Sequence, residues 1–193
     1  MRNLFIEKIY NLCDGKKAEE VFLTYIKSDG TQDDITYRSF GLKCELLMQK
    51  FQKSIQHRKD RVLLLTPMSP FGCIAVTALA ISELVSVVLN PQLPEEELDS
   101  LVKKSDISGI VCDEEIYQKY AYKWTQKYPI FNIKTGDLFH DREYFSEPSK
   151  DSDDVLAILY SSGTTSEPKG VMITYEAQMK SAELLLRAFG TND

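Results

Sequence analysis

Ten consecutive residues carry most of the legible chemistry of this chain: Ser161, Ser162, Gly163, Thr164, Thr165, Ser166, Glu167, Pro168, Lys169 and Gly170. They follow the apolar run Ala157-Ile158-Leu159-Tyr160, which reads as a buried strand. A polyphosphate needs backbone N–H groups, hydroxyl donors and a positive charge converging on one spot, with no bulky side chain in the way. Five hydroxyls, the glycines and Lys169 offer these within one loop. A plain surface turn is built from the same residue types. A random turn, however, is not expected to carry S-G-T-T-x-x-P-K-G behind a buried strand.

Other phosphate and nucleophile motifs fit less well. A Walker A loop needs Gly-Lys-Ser/Thr opening directly into a helix, whereas Pro168 precedes Lys169 and Gly170 follows it. No G-x-G-x-x-G follows any expected strand. The turns read Thr66-Pro67-Met68-Ser69-Pro70 and Asn90-Pro91-Gln92-Leu93-Pro94, so nicotinamide or flavin binding by that route is excluded. Ser166-Glu167-Pro168-Lys169 spells S-x-x-K and Lys134-Thr135-Gly136 spells K-T-G, two marks of serine β-lactamases. They stand in the reverse of that family's order, without a Ser-x-Asn element or an export signal. His57 and His140 are the only histidines and the four cysteines form no C-x-x-C pair, which argues against zinc.

The elements that must hold this loop follow from periodicity. Residues 21–27 and 33–37 read as strands of a hairpin turning at Asp29-Gly30. Phe40, Cys44, Leu47, Met48, Phe51 and Ile55 fall on one helical face. The chain then alternates. Strands are expected at 62–65, 85–89, 107–112 and 128–133. Between them, Phe71, Ile74, Ala75, Ala78 and Leu79 form one helical stripe, and Ile116, Tyr117, Tyr120, Ala121 and Trp124 another. Pro94 opens the intervening helix, with Glu95, Glu96 and Glu97 in its first turn, where the helix dipole favours acids. Residues 132–154 read as an irregular connection. The last unit is a strand at 155–160, the hydroxyl loop, a short apolar run at 171–173 and a helix capped by Thr174. Its buried face is expected to be Ala177, Ser181, Leu184, Leu185 and Ala188. Such alternation predicts an α/β fold: a doubly wound, mainly parallel sheet with helices on both faces, plus an N-terminal β-hairpin.

Composition sets the outer limits. At 193 residues the chain amounts to one large domain, or one and a fraction, with 43% hydrophobic and 27% charged residues. A net charge of −6 argues against nucleic acid or an anionic membrane as the main partner. Of the four widely spaced cysteines, Cys13, Cys44, Cys73 and Cys112, the last three fall in apolar patterns that suit buried free thiols in a reducing compartment. Residues 1–12 do not form a signal peptide, so a cytoplasmic protein is expected. Residues 71–89 are apolar enough to raise a transmembrane reading. Glu83 and the β-branched run from Val85 favour a helix followed by a strand.

The run YSSGTTSEPKGV resembles the phosphate-loop signature of the adenylate-forming superfamily, which includes acyl-CoA synthetases, fatty acyl-AMP ligases, nonribosomal adenylation domains and luciferases. Upstream, Ile35-Thr36-Tyr37-Arg38-Ser39-Phe40 is similar to the family's LTYREL segment, and residues 87–98 are similar to PLNPRLPAEEL. The resemblance implies a two-step reaction. A carboxylate, with a fatty acid favoured, attacks the α-phosphate of ATP to give acyl-AMP and pyrophosphate. A thiol of CoA or a carrier protein then takes the acyl group. It implies that Ser161, Ser162, Thr164 and Thr165 donate to the β- and γ-phosphates, that Gly163 and Gly170 belong to the same loop, and that Lys169 adds charge. Mg²⁺ would accompany the phosphates.

The chain departs from the family pattern at three places: Ser166 where glycine is usual, Tyr175 where histidine is common, and Glu83-Leu84-Val85-Ser86 in place of a Gly-Ala turn. Family members also continue well past this loop. The expectation is therefore an N-terminal ligase portion, with no catalytic residue of its own and inactive alone. Its parts would be hairpin and first helix (1–60), alternating core (61–133), connection (134–153), and phosphate loop with following helix (154–193). The other reading is a non-catalytic truncated or split module that binds the complementary segment of the ligase.

Overall fold

The computed structural model describes residues 4–57, 59–67, 69–132, 154–161 and 168–190. The order is α1 (Leu4–Asp14), β1 (Val21–Ile26), β2 (Gln32–Thr36), α2 (Tyr37–Ser54), β3 (Arg61–Leu65), α3 (Pro70–Ile81) and β4 (Val85–Val88). There follow α4 (Glu95–Lys104), β5 (Ile107–Cys112), α5 (Glu114–Trp124), β6 (Ile130–Phe131), β7 (Val155–Ser161), β8 (Lys169–Thr174) and α6 (Tyr175–Phe189).

β1 and β2 form the expected hairpin, with Gly30 at φ +83° in its turn. The other strands make one sheet in the order β6-β5-β3-β4-β7-β8. All neighbours are parallel except β7 and β8, which pair antiparallel. Strand alternation divides the core. Val62, Leu64 and Val111 pack with Phe40, Leu47, Phe51, Ile74 and Ala78 of α2 and α3. Leu63, Leu65, Val87 and Ile110 pack with Leu98, Leu101, Ile116 and Tyr120 of α4 and α5. Helices therefore cover both faces of the central strands, as period-two alternation between two layers requires.

Local signals explain most boundaries. Ser69 accepts from Gly72 N with Pro70 in the first turn, Asp113 accepts from Ile116 N, and Thr174 accepts from Ala177 N. Residues 71–89 resolve into α3 and β4. Among the described residues no helix is long and apolar enough to cross a membrane.

Residues 4–14 form α1, an element the sequence reading does not place, which packs on α2 through Ile9, Tyr10 and Cys13. Four expectations need correction. The apolar run at 171–173 belongs to β8, a strand whose partners in β7 run from Ser161 opposite Lys169 to Val155 opposite Thr174. Of the expected strand at 128–133, residues 128–132 are described and only Ile130–Phe131 form β6. The face expected to be buried on α6 is exposed: Leu184 and Leu185 are 65% and 55% accessible, Ala177, Ser181 and Ala188 are exposed, and only Tyr175 of that helix is buried. Among the thiols, Cys44 and Cys112 are buried as expected and Cys13 is buried at the end of α1, whereas Cys73, expected to be buried, is exposed. Burial pushes the Cys13 thiol up to about 11, assisted by Asp14, and that of Cys112 up to about 12.

Candidate functional site

Parallel pairing brings the carboxyl ends of β3, β4, β5 and β7 to one edge of the sheet. β3 sends α3 toward β4 on one side, while β5 lies on the other side of β3. That reversal is a topological switch point, and in open α/β sheets ligands bind outside the carboxyl ends of the strands there. Thr66, Asn90, Asp113 and Ser161 follow or end the four strands at this edge. The first three are committed locally. Thr66 donates to the Pro67 carbonyl (2.9 Å), Asn90 Oδ1 accepts from Gln92 N (2.9 Å), and Asp113 caps α5.

Of the residues expected to bind phosphate, the structure describes the two flanks of the loop. Ser161 ends β7 and is paired with Lys169, the first residue of β8. Tyr160 is paired with Gly170, and Leu159 with Val171. The hairpin thus returns Lys169, exposed, to the level of Ser161. Ser162, Gly163, Thr164 and Thr165, like Ser166, lie outside the described residues. Gly170 has a packing reason of its own. A Cβ there would stand 2.9 Å from Ile158 Cγ2 and 3.5 Å from Tyr160 Cζ, so the side chains of β7 occupy the space that any other residue would need.

Tyr160 and Ser105 are not singled out by sequence reasoning. The Tyr160 hydroxyl lies 3.1 Å from Ser105 Oγ, which also lies 2.6 Å from the Leu101 carbonyl. A serine hydroxyl has one proton. The carbonyl can only accept, so Ser105 donates to Leu101 and Tyr160 donates to Ser105. The Ser105 carbonyl in turn accepts from Arg61 Nη1 (3.3 Å). The one sequence signal for Tyr160 is an aromatic ten residues before a glycine across an expected turn. It becomes informative once residues 169–174 are recognised as a strand.

Two departures from the family pattern lie away from this edge. β8 runs antiparallel, so Tyr175 sits beside the start of β7 at the amino edge, with Thr174 opposite Val155. That is roughly 20 Å along the strand from Ser161 at 3.3 Å per residue. Its hydroxyl donates to the Ala80 carbonyl at 2.8 Å, and burial, with Glu83 and Asp154 nearby, raises its phenol above the ordinary range. Glu83 holds φ +60° in the α3–β4 turn, a left-handed conformation that costs a side-chain residue about 1–2 kcal/mol and that glycine adopts freely. Among the described residues no group of three or more His, Cys, Asp or Glu is placed to hold a metal ion.

Comparison with known proteins places this geometry. The chain is 28% identical to 4-coumarate–CoA ligase 2 of Petroselinum crispum over 161 residues, 78% of this chain and 30% of that protein. It is 26% identical to D-alanine–D-alanyl carrier protein ligase of Staphylococcus aureus, across 81% of this chain and 30% of that one. Its fold matches a fatty acyl-adenylate ligase from L. pneumophila, solved with acyl adenylate and pyrophosphate. The TM-score is 0.81 at 18% identity, covering 100% of this chain and 33% of the other. The chain therefore spans about a third of the length of the proteins it matches. The AMP-binding enzyme model matches residues 13–192, and with the motif, the mostly parallel sheet and these relatives in agreement, the chain belongs to the AMP-binding enzyme family.

Proposed function

We propose that this chain contributes the phosphate-binding wall of an ATP-dependent acyl-activating ligase. The observation that carries the reading is the pairing of Ser161 with Lys169 at the carboxyl edge of the sheet. It brings the two ends of the sequence motif together at the carboxyl edge of the sheet, the edge at which a ligand is expected. In this reading Ser161, Ser162, Thr164 and Thr165 donate to the β- and γ-phosphates, Gly163 admits them, and Lys169 supplies positive charge. These donors are complementary to pyrophosphate, so they favour the state in which charge builds on that leaving group. Mg²⁺ accompanying the nucleotide would supply Lewis-acid charge neutralisation alongside these donors.

The substrate class is a carboxylic acid, with a fatty acid favoured, and the acceptor a thiol of CoA or a carrier protein. The working divisions are 1–60, 61–133, 134–153 and 154–193, and the expected compartment is the cytoplasm. We expect no acyl-adenylate from this chain alone, because the matched relatives are about three times longer. Leu184, Leu185, Leu186 and Phe189 on α6 and Val171 and Met172 on β8 are all exposed, as both this reading and that of a non-catalytic module binding a complementary ligase segment require, because each leaves this face to another segment of the ligase.

Two assays test the reading. ATP-dependent pyrophosphate exchange by the purified chain should not exceed that of Lys169→Ala; exchange above that control contradicts the proposed incompleteness. Pyrophosphate and ATP should bind the chain, and AMP, which lacks the β- and γ-phosphates, should bind far more weakly. Equal binding of AMP and ATP would remove the phosphate loop from the account.

A further inference from the structure

Edge strand β8 has little to hold it. Lys169, Gly170, Val171 and Met172 are all exposed, and among the described residues β7 is its one partner in the sheet. Yet the first two residues of β8 set where the loop re-enters the fold. On the α4 side of the hairpin, the residue directly opposite Gly170 is Tyr160. Its ring carbons Cζ and Cε1 lie 3.5 and 3.7 Å from the point a Gly170 Cβ would occupy, so the ring covers the bare glycine backbone. An aromatic laid over a cross-strand glycine restores the side-chain pairing that the glycine lacks. The hydroxyl of the same ring is held by Ser105, a residue 3% exposed at the carboxyl end of α4, whose carbonyl is held by Arg61 at the start of β3.

We propose that Tyr160 is a positioning residue for the loop it precedes. By donating to Ser105 it locks its ring over Gly170, and so fixes the pairing of Ser161 with Lys169 on which the loop stands. Tyr160 touches no phosphate in this account and acts through the hairpin. The fixed base connects the loop to the α4–β5 corner rather than to its exposed surroundings. Gly170 then serves the loop by accepting the Tyr160 ring and the Ile158 methyl. The functional consequence rests on the phosphate-loop reading, but the positioning itself does not.

The experiment uses Tyr160→Phe, Ser105→Ala and the double variant of the full chain. Phe keeps the ring, so the variant retains the core contact of Tyr160 and its melting temperature should stay near that of the parent. Hydrogen exchange of the β7 and β8 amides flanking the loop should accelerate about fivefold in Tyr160→Phe, the loss of roughly one net hydrogen bond, with no change in β3 or β5. The double variant should go no further than either single change, because both remove the same link. Unchanged exchange in Tyr160→Phe, or additive effects in the double variant, overturns the proposal. Pyrophosphate titration forms the second arm, and affinity should fall by a similar factor in each variant. Faster exchange with unaltered pyrophosphate affinity overturns the link from hairpin to ligand. Faster exchange in the variants, with no pyrophosphate binding by the parent chain, supports the anchoring role of Tyr160 and refutes the phosphate reading instead.

Discussion

Leu63 in β3 and Leu184 in α6 are the same side chain in opposite situations. The first is wholly enclosed between the sheet and helices α4 and α5, and the second is 65% exposed. The contrast extends to the elements around them. β3, β4 and β5 have neighbours on both sides and helices over both faces, whereas β8 is an edge strand exposed along most of its length and α6 buries only Tyr175. The phosphate-loop motif is rooted where the two regions meet. β7 is hydrogen-bonded to β4 on one side and β8 on the other, so one flank of the loop belongs to the rigid centre and the other to the open edge.

The sharpest test of this contrast is a matched pair of truncations. Leu63→Ala should cost about 2–5 kcal/mol in urea unfolding, since it opens a cavity in a closed core. Leu184→Ala should stay within about 0.5 kcal/mol. Comparable losses would mean that α6 packs in solution against something that the described residues do not include. Gly170→Ala tests the exception at the edge, where packing is tight. A methyl 2.9 Å from Ile158 Cγ2 should cost about 1–2 kcal/mol, measured the same way, although the residue is exposed and alanine has the better intrinsic propensity. A neutral result would show that β8 simply moves outward. The smallest effect has the opposite sign. Ser86 in β4 is fully buried and its hydroxyl has no hydrogen-bond partner among the described residues. Ser86→Ala should therefore stabilise the chain by roughly 1 kcal/mol, and a loss of stability would reveal a partner for that hydroxyl.

Sequence periodicity located the centre well for a physical reason. Strands buried on both faces read as continuous apolar runs, and Pro94 before Glu95, Glu96 and Glu97, like Thr174, marks a helix start by a signal contained within one turn. The edge was harder to read. The pattern on α6 indicates correctly that one face is apolar, but periodicity does not say whether the covering element belongs to the same stretch of chain. β8 escaped notice because four apolar or small residues gain strand character only from β7. In α1, Ile9, Tyr10 and Cys13 pack on α2, a contact that depends on Gly41: a Cβ there would stand 2.9 Å from Cys13 Sγ. Within the candidate site, the motif is read from sequence alone, and the structure describes its two flanks, Ser161 and Lys169. The Tyr160–Ser105 link joins residues 55 apart, and only the folded sheet brings them together.

In the proposed function the segment between β7 and β8 receives the phosphates of ATP, with Lys169 as the one cation of the motif. Calorimetric titration of the purified chain with pyrophosphate in the presence of Mg²⁺ is the decisive experiment. Saturable binding should weaken about tenfold or more in Lys169→Ala, the equivalent of about 1.4 kcal/mol for one charge-assisted contact, with an unchanged melting temperature. Equal affinity in the two proteins, or no binding by either, would refute the phosphate role of the motif.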